Sequence, residues 1–147
     1  MMTQVDLQAK ETFNLLSGGK PKLLRLALAE STKFGCIPHM SSVWYLWRGG
    51  IFWITTSDDR LKVRAIRKNS RVALIVDTDV IPYQGVIVEG TATLTRSHIK
   101  EITLEIVKRY LPERSVKRQF DELMKYPRVL IRIRPDKAIG IMSYKVR

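Results

Sequence analysis

A chain of 147 residues, 45% of them hydrophobic and with a mean hydropathy of −0.11, is long enough to bury a sizeable core as one domain spanning residues 1–147. The only cysteine, Cys36, excludes an intrachain disulfide, and no apolar run approaches the roughly 18 residues of a membrane-spanning helix. The net charge of +12 attracts anions of several kinds, with 12 basic against 8 acidic side chains over residues 1–95 and 14 against 6 over 96–147.

Residues 6–17 read as a short helix carrying Leu7, Phe13 and Leu16, stopped by Gly18-Gly19. The segment before it lacks a positive region followed by an apolar core, so no secretory signal and a cytoplasmic location are expected. Leu24, Leu26 and Leu28 alternate with Arg25, Ala27 and Ala29, predicting a strand over residues 23–30 with one apolar face. Residues 31–38 read as a loop. Residues 39–48 and 51–56 are rich in β-branched and aromatic side chains, and Gly49-Gly50 between them predicts a hairpin. A short helix is expected around 61–69, then a strand over 71–76, a loop over 77–82 and a long strand over 83–95. Gly90 inside that strand signals a bulge or a close backbone approach. Ser97 is the expected N-cap of a helix over 97–110, and a second helix over 115–125 ends near Pro127. Residues 129–134 and 138–143 close the chain as two strands around Pro135. Hairpin-linked strands with inserted helices predict a mainly β fold with α additions, an antiparallel barrel.

The densest chemistry lies at the strand-to-helix junction over residues 53–66. Thr55, Thr56 and Ser57 supply hydroxyls. Advancing from Arg60 at about 100° per residue places Arg64, Arg67, Lys68 and Arg71 in one stripe with it. Leu61, Ala65 and Ile66 cluster on the far side, and Lys62 falls among them. A lysine there is costly unless an anion meets it, and helix-start N–H groups favour a phosphate or carboxylate. The alternative is that Lys62 snorkels to solvent past Val63.

Other chemistries find little support. His39 and His98 lie far apart, no zinc-like spacing occurs, and no metal is expected. Cys36 beside His39 reads as a small apolar residue rather than a nucleophile. Asp58-Asp59 reads as helix capping rather than metal binding. Neither a glycine-rich phosphate loop nor a dinucleotide fingerprint is present. An enzyme built on this chain would therefore rely on a cofactor. The hairpin concentrates Trp44, Tyr45, Trp47, Phe52 and Trp53. Such rings serve as core or interface, or else as a surface for a flat ligand. A phosphate at one end and an aromatic surface at the other describe flavin mononucleotide (FMN).

Four segments in order resemble the pyridoxamine 5′-phosphate oxidase-like, FMN-binding split-barrel family. They are Pro38-His-Met-Ser-Ser-Val-Trp-Tyr45, Ile51-Phe-Trp-Ile-Thr-Thr56, the run from Lys62 to Val72, and Tyr83-Gln-Gly-Val-Ile-Val-Glu-Gly-Thr-Ala92. The resemblance implies a six-stranded antiparallel split barrel that forms a homodimer, with FMN in clefts between subunits. It implies that the strand over Met40–Tyr45, with Ser42, Val43 and Trp44 in it, lines the flavin ring, and that Thr55 and Thr56 contact the cofactor. Lys62 matches the phosphate-holding lysine, and Gln84 matches a residue reaching the flavin. Ser57 and Arg60 complete the expected site. The chain departs from the family at Ser42, often proline, and at Arg60-Leu61, where Ser-Arg is common. Ile141-Met142 replaces a common Trp-Asp, and the C-terminal arginine-rich signature of true pyridoxamine phosphate oxidases is missing.

The expected function is therefore an FMN-dependent oxidoreductase acting on a small molecule. Relatives that bind a deazaflavin or haem, and a cofactor-storing or sensing protein without turnover, stand beside it. The rival from a different class is a basic nucleic-acid-binding barrel, which needs exposed Trp or Tyr beside the Arg60–Arg71 stripe.

Overall fold

Apolar alternation builds most of the molecule, and the computed structural model describes residues 2–7 and 9–143. The elements run β1 (Met2–Gln4), α1 (Lys10–Ser17), β2 (Leu24–Thr32), β3 (Gly35–Val43), β4 (Leu46–Arg48) and β5 (Ile51–Ser57). They continue with α2 (Leu61–Lys68), β6 (Arg71–Asp77), β7 (Tyr83–Thr95), α3 (Ile99–Tyr110), α4 (Glu113–Met124) and β8 (Arg128–Ser143). All strand pairs are antiparallel, in the order β3-β2-β6-β7-β8-β5-β4, with β1 also paired to β8. The mainly β class with α additions holds. The expected six strands are eight among the described residues, and the hydrogen-bonded path is open, with β3 and β4 at its ends. No helix among the described residues is long and apolar enough to cross a membrane.

The alternating leucines of β2 face inward, with Leu24 and Leu26 fully buried, and meet Val72, Leu74 and Val76 of β6. Leu16, Tyr45, Trp47, Phe52, Ala65 and Ile66 fill the same core. A second cluster joins Ile102 and Ile106 of α3 to Leu130, with Trp44, Leu46 and Trp53 packed against it. The hairpin rings thus belong to the interior. Tyr45 and Phe52 are fully buried, and Trp44 stacks on Tyr110 at 4.8 Å between centroids. Trp44 and Trp53 are only partly buried, and Trp53 borders a hollow of about 270 Å³ with the Arg132 guanidinium over its ring.

Several boundaries differ from the sequence reading for identifiable reasons. The expected loop over 31–38 is the tip of the β2–β3 hairpin. β6 pairs only with Leu24–Leu28, so the ribbon projects past the sheet, and no apolar alternation marks it. The expected strand over 39–48 breaks between Val43 and Leu46, because the Tyr45 N–H donates to Tyr110 Oη at 3.2 Å instead of to a ladder. The Gly49-Gly50 hairpin forms as expected, with φ of +63° and +74° as a two-residue primed turn needs. Helix α1 starts at Lys10 rather than residue 6. Ser97 does not cap α3; the N-cap is His98 at φ 60°. Asp58 and Asp59 do not cap α2 either: Asp58 pairs with Arg96 at 2.8 Å, and the N-cap is Arg60.

The two closing strands are one. β8 runs through Pro135, which sits opposite Gly90 where the β7–β8 register shifts, so the bulge absorbs the missing N–H. A Cβ at Gly90 would lie 2.8 Å from the Arg134 carbonyl oxygen. Gly90→Ala should therefore destabilise the protein by about 1–3 kcal/mol, read as a lower urea midpoint. An unchanged midpoint would contradict this close approach.

Candidate functional site

The end of β5 and the start of α2 bring three predicted residues together. Thr56 is buried on the inward face of β5, Arg60 is the N-cap of α2, and Lys62 is in its first turn. No side chain caps this helix, and with the Val63 N–H already bonded to the Arg60 carbonyl, the Leu61 and Lys62 N–H groups remain available to a ligand. Val63, Ala65 and Ile66 bury one side of α2, while Arg64, Arg67 and Lys68 are exposed. Lys62 is half-buried. Burial, and then the nearby Arg60 charge, hold its ammonium below the ordinary lysine range. Among the described residues no acceptor meets the Lys62 or Arg60 side chain. Of the neighbouring acids, the Asp58 carboxylate is engaged by Arg96, while Arg64 donates to the Asp59 backbone carbonyl.

These groups line a cleft of about 520 Å³ together with Leu26, Leu28, His39, Met40, Ser41 and Leu61. Its size and its mix of apolar wall and few polar groups suit a small organic ligand. A second hollow of about 540 Å³ shares Arg60 and Leu61 with it and adds Ser57, Asp59 and Tyr126. Arg128 lies opposite Ser57 in the β5–β8 ladder and donates from Nε to Thr55 Oγ1 at 3.1 Å. Burial, and then Arg60, also lower its pKa. Arg60 therefore lies near two half-buried cations, and an anion entering here would relieve their mutual repulsion.

Comparison with known proteins follows the same lines. The family profile described as pyridoxamine 5′-phosphate oxidase matches residues 15–141. The chain belongs to that family. Among solved structures, this pyridoxamine 5′-phosphate oxidase relative is similar to an F420 reductase, with 25% identity, a TM-score of 0.65 and coverage of 86% of this chain and 94% of the other. It also resembles a conserved hypothetical protein from Mycobacterium tuberculosis, at 21% identity and a TM-score of 0.72, covering 92% of this chain and 85% of that one. An FAD-binding protein from Mesorhizobium loti matches at 19% identity and a TM-score of 0.66, over 98% and 99% of the two chains. No curated protein matches.

Of the remaining predicted residues of this family member, Ser57 borders the adjoining hollow with Arg60, and the others lie apart from the Lys62 cleft within one chain. Thr55 faces opposite to Thr56, and its hydroxyl bonds Thr103 Oγ1 at 2.9 Å. Ser42 is exposed on the outer face of β3, whereas Ser41 on the inner face lines the cleft. Val43 packs against the core, and Trp44 stacks against α3. Gln84 borders a separate groove of about 1020 Å³ between residues 20–25 and 77–84. Sequence reasoning missed His39, Arg128 and Tyr126, and within the expected strand over Met40–Tyr45 it named Ser42 where Met40 and Ser41 line the cleft. Strand alternation could have offered Ser41 as an equal of Ser42. Nothing local marks Arg128, whose place depends on a ladder between distant strands.

Proposed function

We propose that this chain binds a flavin-class cofactor by its phosphate in the Lys62 cleft and serves as an oxidoreductase toward a small molecule. The observation that carries this reading is the pair of cations without acceptors, Arg60 and Lys62, beside Thr56 at an uncapped helix start. The donor set fits a phosphate: the Lys62 ammonium, the Arg60 guanidinium, the Thr56 hydroxyl and free backbone N–H groups are all donors. Leu26, Leu28 and Leu61 offer apolar wall to the rest of the ligand. A bound flavin would supply hydride or single-electron chemistry, and the chain's part is to hold and orient it. The hairpin lends the nucleic-acid reading no support, since Tyr45, Trp47 and Phe52 are buried; Tyr126, exposed beside Arg60, is a ring placed as that reading requires.

FMN is the form the family resemblance implies. The similarity to proteins described as F420 reductase and FAD-binding makes a deazaflavin and FAD the forms to test beside it. Absorbance titration of the purified protein should show saturable spectral change with at least one of the three at micromolar concentration. No binding of any of them would sink the reading.

The same proposal includes a homodimer. Across β3-β2-β6-β7-β8 the outer face carries the row Ser42, Arg25, Ile75, Ile87 and Ile139. Three isoleucines side by side on an outer sheet face suit a buried, self-complementary contact. Ser42 lies in that row, so a second copy would bring it toward a shared cleft. Light scattering should return twice the chain's 17.0 kDa. A monomer mass would count against both the dimer and the sharing.

A further inference from the structure

His39 borders the Lys62 cleft but the cation pair does not account for it. It faces Leu28 in the β2–β3 ladder, which sets the imidazole on the strand face that lines the cleft. Its Nε2 is buried without a hydrogen-bond partner, and Glu30 Oε1 stands 3.9 Å away, an ion-pair distance too long for a hydrogen bond. The side chain as a whole is 36% exposed. With Nε2 turned inward, the open part of the ring carries Nδ1. The charged groups around the cleft are Glu30 from β2 and Arg60 and Lys62 from the start of α2. Thr56 of β5 and Ser41 of β3 add only hydroxyls.

We propose that the Glu30–His39 pair is a proton-dependent third arm of the anion site. This rests on the flavin-phosphate reading and specifies how that site responds to pH. A neutral imidazole has one donor and one acceptor nitrogen, so it cannot donate to a carboxylate and a phosphate together; an imidazolium donates from both. On ligand entry His39 takes a proton from solvent, donates from Nε2 to Glu30, and donates from Nδ1 to the phosphate. No covalent bond of the ligand changes, and up to one proton is taken up for each ligand bound. Glu30 on one side and the arriving phosphate on the other supply the two acceptors that an imidazolium needs. The arm therefore strengthens binding as pH falls.

A phosphate monoester itself loses charge near pH 6, which weakens binding in acid for every variant alike. The ratio of affinities between variants isolates His39 from that trend. FMN and riboflavin binding should be measured from about pH 8.5 to about pH 5.5, the span over which histidine changes charge, for wild type, His39→Gln and Glu30→Gln. The wild-type advantage over His39→Gln for FMN should grow from near unity to roughly tenfold as pH falls, the size of one charge-assisted hydrogen bond at a partly exposed site. Riboflavin, without phosphate, should show no such growth. Glu30→Gln, which replaces the carboxylate acceptor by a neutral amide, should shrink the His39-dependent component. FMN binding with parallel pH profiles in wild type and His39→Gln, or riboflavin tracking FMN, would overturn the proposal and leave the flavin reading standing. If His39→Gln does not fold, an unmoved profile in Glu30→Gln overturns it instead. No FMN binding at any pH overturns the flavin reading and this arm with it.

Discussion

Lys62→Ala should weaken FMN binding by about 10- to 150-fold, the loss of one hydrogen bond to a charged group. The side chain is half-buried rather than enclosed, so the lower part of that span is expected. Riboflavin should bind wild type and variant almost equally, because the lost partner is the phosphate. Arg67→Ala is the control: Arg67 is exposed on the far stripe of α2 and should change FMN affinity little. The ligand-free variant should also be more stable than wild type at neutral pH. Lys62 has a folded pKa below its ordinary 10.5, so the unfolded chain holds that proton more tightly. This penalty is present at neutral pH and is relieved as pH rises through the folded pKa toward the unfolded one. Fluorescence titration and thermal unfolding would read the two effects separately. Equal FMN losses in both variants would instead indicate diffuse attraction to a basic surface.

Phe52→Ala should cost about 3–5 kcal/mol of stability, the range for emptying a buried aromatic site. Phe52 is fully buried, lies 4.5 Å from the Trp47 ring and 5.9 Å from Tyr45, and is paired with Ile133 of β8. Equilibrium denaturation checks this directly. A loss under about 1 kcal/mol accompanied by lost FMN affinity would return the hairpin rings to the role of ligand surface.

The junction holding Lys62 was legible because two local signals coincide there. A strand pattern ends in hydroxyl residues, and a helical pattern begins with a cation on its apolar side. Gly49-Gly50 and Gly90 were legible because glycine marks backbone geometry that other residues resist. Which of two neighbours faces the cleft was not. Thr55 and Thr56, like Ser41 and Ser42, differ only by which face of the pleat they occupy, and register across the sheet decides that. The β2–β3 ribbon hid because both its faces meet solvent beyond β6, and β8 read as two strands because Pro135 interrupts it, with the extra residue Asp136 taken up as a bulge opposite the Glu89–Gly90 step of β7. Arg128 carried no signal of its own. It reaches the site because β5 and β8 pair, bringing it beside Thr55 and Ser57.

A co-crystal structure with FMN tests the central claim most directly. The flavin-phosphate reading places the phosphate within hydrogen-bonding distance of Lys62 Nζ and Thr56 Oγ1, at the first turn of α2. A phosphate bound instead in the groove between residues 20–25 and 77–84, with Lys62 free of any ligand, would contradict it.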